Sequence, residues 1–380
     1  MSKKKILILI DWFVPGYKAG GPIQSCVNLV HALKNDYDLY ILTTDTDHGE
    51  TEPYPDVISN KWITDSKLGA TIFYAQKKHL TTKQLKEEIN RIDADYIYLN
   101  HLFSPMFVVY PLWLKFTGKL KTKFVVCPRG ALYKSALTIK LYKKKPFLLL
   151  FKWMGIQKKI LFHATNEREQ NAILEYFPGS SVCIADNLPN MNQPDFLNLQ
   201  KDAGHLKCIF VARIVSIKNL LFLLNALDKI KAKVELTVIG PVEDAAYWED
   251  CKTKIHQLPE NIKVEYIGTK RNEEVIKNIQ QNHLFILPTT GENFGHAIFE
   301  AMLAGRPVLI SDQTPWLNLQ QHQIGWDVPL TEPEGFVTAL ETAAGWDQTA
   351  FDEYAKNTWY FANRFINNPS LKEQYIKLFA

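Results

Sequence analysis

Short apolar runs of strand length, separated by helix-like segments, recur through the whole chain and leave few architectures open to it. They fall at Lys5 to Ile10, Tyr37 to Thr43, Ala70 to Tyr74, Asp95 to Leu99, Lys123 to Cys127 and Ile160 to Thr165. A second series follows at Leu206 to Ala212, Lys233 to Ile239, Lys263 to Ile267, His283 to Leu287 and Pro307 to Ser311, with helical patterns at Asn219 to Ile230 and Asn272 to Gln281 between them. Runs apolar on both faces suit a parallel sheet covered by helices on each side. The sequence therefore predicts an α/β chain of two doubly wound, Rossmann-like domains, and 380 residues suffice for two cores. The expected division is a first domain over residues 1–190, a linker over 191–204 and a second domain over 205–355. A C-terminal helical segment over 356–380, broken near Asn367-Asn368-Pro369, could pack back on the first domain. In this reading the domains face each other across a cleft, and ligands sit outside the carboxyl ends of the strands.

Composition removes several classes of protein. A net charge of +4 lacks the basic surplus of a dedicated nucleic-acid binder, so no nucleic-acid partner is expected. The five cysteines are scattered and never form C-x-x-C, which argues against a disulfide framework or a zinc site and fits a reducing, cytoplasmic setting. The basic start followed by Ile6 to Ile10 has no small-residue cleavage site and reads as the first buried strand. The apolar stretches Met106 to Leu114 and Pro146 to Phe151 fall short of the roughly 20 residues of a membrane span. Lys140 to Lys159 mixes lysines with large apolar residues. It offers peripheral contact with the inner face of the cytoplasmic membrane, although a helix packed on the sheet with its lysines in water explains the same letters.

Chemistry concentrates in Gly291-Glu292-Asn293-Phe294-Gly295-His296-Ala297-Ile298-Phe299-Glu300, continuing to Gly305-Arg306-Pro307-Val308. A strand ending at Leu287 runs into a polar loop, and a helix begins near Gly295 or His296. Free amides and the macrodipole make that terminus an anion site, and the glycines admit close approach by a ligand. Glu292 and Glu300 flank it as acceptors for hydroxyl groups, one at each end of a phosphate-linked ligand. Arg213 and Lys218, five apart after the strand ending in Ala212, could neutralise a diphosphate and the charge that grows on a departing phosphate.

These residues resemble the retaining nucleotide-sugar glycosyltransferases of family 4, which have the GT-B fold of two Rossmann-like domains. Glu292 and Glu300 match the family's E-x7-E signature, and Arg213 and Lys218 match its R-x4-K. The resemblance implies that Glu292 holds the donor sugar and Glu300 the nucleotide ribose, with Asn293, Phe294 and Gly295 near sugar and phosphate. Arg213 and Lys218 become the leaving-group clamp. Gly20 and Gly21, in the turn after the first strand, match a glycine-rich loop near the donor phosphate, and His101 a histidine that touches the donor sugar on the acceptor side. The implied reaction moves a hexose-type sugar from a nucleotide diphosphate sugar, UDP- or GDP-linked, to a hydroxyl of a glycan or lipid-linked glycan in bacterial surface polysaccharide synthesis. No bound cofactor and no metal are implied. One departure stands out, since many members have a P-N-G-hydrophobic-D turn where this chain has Asp186-Asn187-Leu188-Pro189-Asn190.

Other candidates stay open. Arg129, beside Gly130, could aim at an anionic acceptor or form an ordinary surface pair, and His163 and Glu167 sit at another strand-to-helix junction. Asp45-Thr46-Asp47 spells a D-x-D metal motif but reads as a polar loop, far in sequence from the clamp. Rival functions are a sugar-nucleotide epimerase on the same fold and a non-catalytic nucleotide- or glycan-binding protein; the set Arg213, Lys218, Glu292 and Glu300 argues against the latter.

Overall fold

The computed structural model describes residues 3–133, 136–137, 141–190 and 194–380. Lys140 of the lysine-rich stretch, and residues 191–193 of the expected linker, lie outside them. The chain forms two units, residues 1–191 with 369–380 and residues 192–368.

In the first unit the apolar runs become the strands β1 (Lys5–Leu9), β2 (Asp38–Thr44), β4 (Ala70–Ala75), β5 (Tyr96–Asn100), β6 (Lys123–Cys127) and β7 (Leu161–Ala164). Two further strands, β3 (Trp62–Asp65) and β8 (Ser181–Ile184), close the edges. The order is β3-β4-β2-β1-β5-β6-β7-β8, parallel throughout except for β3, which runs antiparallel to β4. Ile6 to Leu9 have no exposed surface, as a strand sandwiched between helix layers requires. The order reverses between β1 and β5, so the turn carrying Gly20 and the loop carrying His101 both leave this switch point.

The second unit has β9 (His205–Val211), β10 (Lys233–Ile239), β11 (Ile262–Tyr266), β12 (Leu284–Leu287), β13 (Val308–Ser311) and β14 (Gly325–Val328). All are parallel, in the order β11-β10-β9-β12-β13-β14. Its switch point lies between β9 and β12, whose carboxyl ends lead into the Arg213 and Glu292 loops. The helix His296–Leu303 is buried almost all round because the helix Gln348–Ile366 covers its outer side. Phe294, Phe299, Trp316 and Phe365 pack ring to ring there.

Two boundaries differ from the sequence expectation. Residues 194–204 are a fixed part of the second unit rather than a linker. The buried Lys201 ammonium donates to the carbonyls of Asp202, Ala344 and Trp346 at 2.9–3.0 Å, and Gln280 Nε2 donates to Asp195 O at 2.7 Å. Nor does a segment separate at residue 356. The helix capped by Asp347 runs unbroken to Ile366 in the second unit, and the chain changes units at Pro369. The helix Ser370–Leu378 then buries Tyr375 beside His163 in the first unit.

Candidate functional site

At the carboxyl end of β9 the backbone is held so closely that only glycine fits next to it. A Cβ on Gly240, at φ 146°, would lie 1.8 Å from Ala212 O. Ile214 N donates to Pro241 O at 2.8 Å, and Glu243 N and Asp244 N donate to Ile214 O at 3.2 Å. Arg213 projects from this pinned segment, with Nη1 2.5 Å from Glu243 Oε2 in a half-exposed pair. One turn of 3-10 helix, Ser216–Lys218, and a left-handed Asn219 at φ 62° lead into the next helix.

The loop after β12 is tied to that turn. Thr290 N and Thr289 Oγ1 both donate to Ile217 O, at 2.8 and 3.1 Å. Glu292 N donates to Gln313 O at 3.0 Å, which fixes the loop on its other side. Lys218 Nζ thereby meets Glu292 Oε1 in an ion pair whose side chains are 14% and 16% exposed. Gly295, at φ 76°, turns the chain into the helix His296–Leu303, whose first turn has no side-chain cap. Phe294 is held by the Trp316 Nε1 donation to its carbonyl at 2.6 Å.

Glu300 lies in the second turn of this helix, only 6% exposed. Asn272 Nδ2, on the first residue of the helix Asn272–Gln280, donates to its Oε1 at 2.8 Å. Burial pushes the Glu300 carboxyl up to about 7, and the Asn272 donation pulls against that shift. The second unit thus brings two carboxylates, two cations and a helix N-terminus to one sheet edge. That arrangement suits a ligand with an anionic centre and hydroxyl-bearing ends. Asn272 and Glu243 escaped the sequence reading because each gains meaning only from a residue 28 or 30 positions away.

In the first unit, Gly20 takes φ 65° and Gly21 opens the helix Gly21–Leu33, again without a side-chain cap. His101 adopts φ 117°, a backbone conformation that side chains disfavour. Its N donates to Cys127 O at 3.0 Å, and its Nδ1 accepts from Phe103 N at 3.2 Å, which puts the proton of the neutral ring on Nε2. Burial, with Lys144 nearby, lowers this imidazole to about 4, so it is neutral at pH 7.

Arg129 corrects an expectation. Its guanidinium is not exposed toward an acceptor but turned inward, donating to Asn100 Oδ1 at 2.8 Å, to Tyr98 OH at 3.0 Å and to Asn187 Oδ1. Three polar partners on neighbouring segments hold it as a tie between β5, β6 and the Asn187 segment. His163 is likewise structural, fully buried between Tyr98 OH (2.9 Å) and Ala185 O (2.7 Å). Beside Glu167 the buried carboxylate of Glu169, unnoticed in the sequence, accepts from Gly130 N, Thr165 N and Thr165 Oγ1 at 2.6–2.8 Å. Asp45 and Asp47 spend their carboxylates on Ser59, on the Lys77, Tyr17 and Lys18 amides, and on His48 N. They hold the loop, as the polar-loop reading expects.

Two doubly wound α/β units, the second with this site at its switch point, have the GT-B fold. Within it, residues 205–344 of the second unit match the family described as glycosyl transferases group 1. An uncharacterized glycosyltransferase of Methanocaldococcus jannaschii is 25% identical over 196 residues. The match covers 50% of this chain and 46% of that one, so the chain matches just under half of the relative's length. Among solved structures, Anabaena HepE in complex with UDP and glucose superposes with a TM-score of 0.70 at 15% identity, covering 99% of both chains. WaaG, a glycosyltransferase involved in lipopolysaccharide biosynthesis, does so with a TM-score of 0.66 at 12% identity, again over 99% of both chains.

To test the Asn272 contact, Asn272→Ala removes a donor to the ionised form of Glu300. Such a bond is worth about 1.5 kcal/mol or more, so in the variant the Glu300 carboxyl should keep its proton to a pH about one unit higher. An NMR pH titration of that carboxyl checks this, and an unchanged titration would assign Asn272 to helix packing alone.

Proposed function

We propose that the chain is a retaining glycosyltransferase that moves a hexose-type sugar from a nucleotide diphosphate sugar to a hydroxyl of a glycan or lipid-linked glycan. The observation that carries this reading is the set at one switch point: the Lys218–Glu292 pair, the Gly295 helix terminus and the Asn272–Glu300 pair. In the proposal Glu300 accepts hydrogen bonds from the ribose hydroxyls, and Glu292 accepts from the transferred sugar. Arg213, Lys218 and the helix amides neutralise the diphosphate.

As the bond from the anomeric carbon to the phosphate oxygen breaks, its electron pair goes to the phosphate. Two fixed cations stabilise that gain of charge more than they stabilise the bound substrate, which is the condition for catalysis. The acceptor hydroxyl attacks from the face the phosphate leaves, which preserves the anomeric configuration, and its proton passes to the leaving phosphate. His101, neutral with its proton on Nε2, fits a hydrogen-bond donor to the sugar rather than a general base. UDP is the first nucleotide to test, because HepE is seen with it, and WaaG's part in lipopolysaccharide biosynthesis supports a surface-glycan acceptor.

Thermal unfolding against UDP, GDP, ADP, CDP and dTDP, without added metal, tests the donor assignment. A nucleotide at a hundred times its dissociation constant adds about 2.7 kcal/mol of stability. The expected result is a clear rise in Tm with one of the five that Glu300→Ala abolishes. No rise with any of them at saturating concentration would overturn the nucleotide-sugar reading.

A further inference from the structure

Charge is distributed unevenly along this chain. Between Tyr96 and Asn166 there are 71 residues with thirteen Lys or Arg and no Asp or Glu, whereas the rest of the chain has 31 cationic against 40 acidic residues. The helix Leu141–Trp153 lies inside this acid-free stretch. Its inner side is ordinary core, with Leu148 and Phe151 buried and Phe151 4.9 Å, ring to ring, from Phe177.

The outer side is not ordinary. Tyr142, Lys145, Pro146, Leu149, Leu150 and Trp153 follow one another at helical spacing on one stripe, and all are exposed. Leu149 is 60%, Leu150 52% and Trp153 83% exposed. Lys152 on the same helix and Lys158 and Lys159 just after it are also exposed, and Trp113 in the same acid-free stretch is 48% exposed. A helix whose outer side served only to meet water would carry polar residues there.

Charge decides what covers this face. A second copy would bring lysines against lysines. A nucleic acid would use the cations and the tryptophan, but Leu149 and Leu150 offer no ring for a base to stack on. An anionic bilayer uses all of it, since headgroups attract the lysines while the leucines and Trp153 enter the boundary with the acyl chains. At 13 residues the helix is about 20 Å long and cannot cross the hydrocarbon core. Among the described residues no helix is long and apolar enough to do so.

We propose that the face formed by Tyr142, Leu149, Leu150 and Trp153, with its surrounding lysines, docks in the plane of an anionic lipid bilayer. The inference concerns the first unit and does not rest on the glycosyl-transfer reading, although a lipid-linked acceptor would be met on such a surface.

Co-sedimentation of the full chain with vesicles tests it, comparing pure phosphatidylcholine with the same lipid containing one-third phosphatidylglycerol, at low and high salt. Binding to the anionic vesicles should be about tenfold or more tighter than to neutral ones and should weaken with salt. The triple variant Leu149→Ser/Leu150→Ser/Trp153→Ser should lose tenfold or more of that binding. Because these side chains are exposed, its thermal unfolding and any nucleotide-induced rise in Tm should match the parent. Equal affinity for both vesicles, retention of binding by the triple variant, or a dimer that the triple variant abolishes without vesicle binding would each overturn the proposal.

Discussion

In the proposed glycosyl transfer, replacing Arg213 and Lys218 together by alanine should lower the rate by three orders of magnitude or more. The scale comes from fixed donors at developing negative charge, each of which is worth about 3 kcal/mol or more, a hundredfold to a thousandfold in rate. Both cations are held by carboxylates on neighbouring loops. Lys218 sits on a 3-10 turn tied to the β12 loop through Ile217 O and pairs with Glu292 there, while Arg213 pairs with Glu243. Little reorganisation is then needed as charge appears, which is the source of the electrostatic advantage. Binding separates this role from a purely structural one. The double variant should lose affinity for the nucleoside diphosphate but keep its weaker affinity for the bare nucleoside, which carries no phosphate. Turnover within a few fold of the parent would remove the pair from the mechanism. Equal losses for nucleoside and nucleoside diphosphate would mean that the loop, rather than the charge, had been disturbed.

How much of this was legible beforehand depends on whether the signal was local. The central strands were, because a strand buried on both faces writes itself as an unbroken apolar run. Lys123–Cys127 and Lys233–Ile239 have the same bounds in sequence and structure, and most of the others shift by one residue. The edge strands Trp62–Asp65 and Ser181–Ile184 were not legible, since one side of an edge strand meets water and its residues are mixed in kind. The helix break at Asn367-Asn368-Pro369 was readable from proline chemistry. Its consequence, a change of unit, depends on Tyr375 finding His163, a contact 212 positions long that no window along the sequence contains.

The same division runs through the site. Glu292, Arg213 and Lys218 stood out because they lie in loops and turns directly after strands, and Glu300 because the helix that carries it opens straight from the Glu292 loop, so that local pattern and position coincide. The Lys218–Glu292 pair, the Asn272 partner of Glu300 and the glycine at 240 that lets the backbone pass Ala212 are all tertiary facts. Arg129 misled for the same reason. A glycine neighbour suggested exposure, but the fold supplied Asn100, Tyr98 and Asn187 as inward partners.

Glu300→Gln should make the protein more stable at pH 8 and a poorer nucleotide binder. Burial raises the Glu300 carboxyl from 4.5 to about 7 in the fold. Between those pH values the folded chain holds a proton that the unfolded chain has released, so stability falls as pH rises from about 4.5 through about 7. Above that range the full difference applies, about 3 kcal/mol. Glutamine keeps the shape and can still accept from Asn272, but it has no charge to strand in the interior. The variant's Tm should match the parent near pH 5, where the parent carboxyl is protonated, and exceed it by several degrees at pH 8. Nucleotide binding has the opposite slope. Ribose hydroxyls that donate to Glu300 favour its ionised form, so parental affinity should fall toward tenfold per pH unit below about 7, while the variant's should be weak and flat. Calorimetric titration and thermal unfolding from pH 5 to 8 read both slopes on the same samples. A variant whose Tm follows the parent at every pH would show that Glu300 carries no buried charge. A stable variant that still binds nucleotide as the parent does would show that the charge is not there for the ribose. If both slopes appear, a carboxylate that weakens the fold at neutral pH is retained because the ligand's hydroxyls restore at the site the solvation that burial took from it.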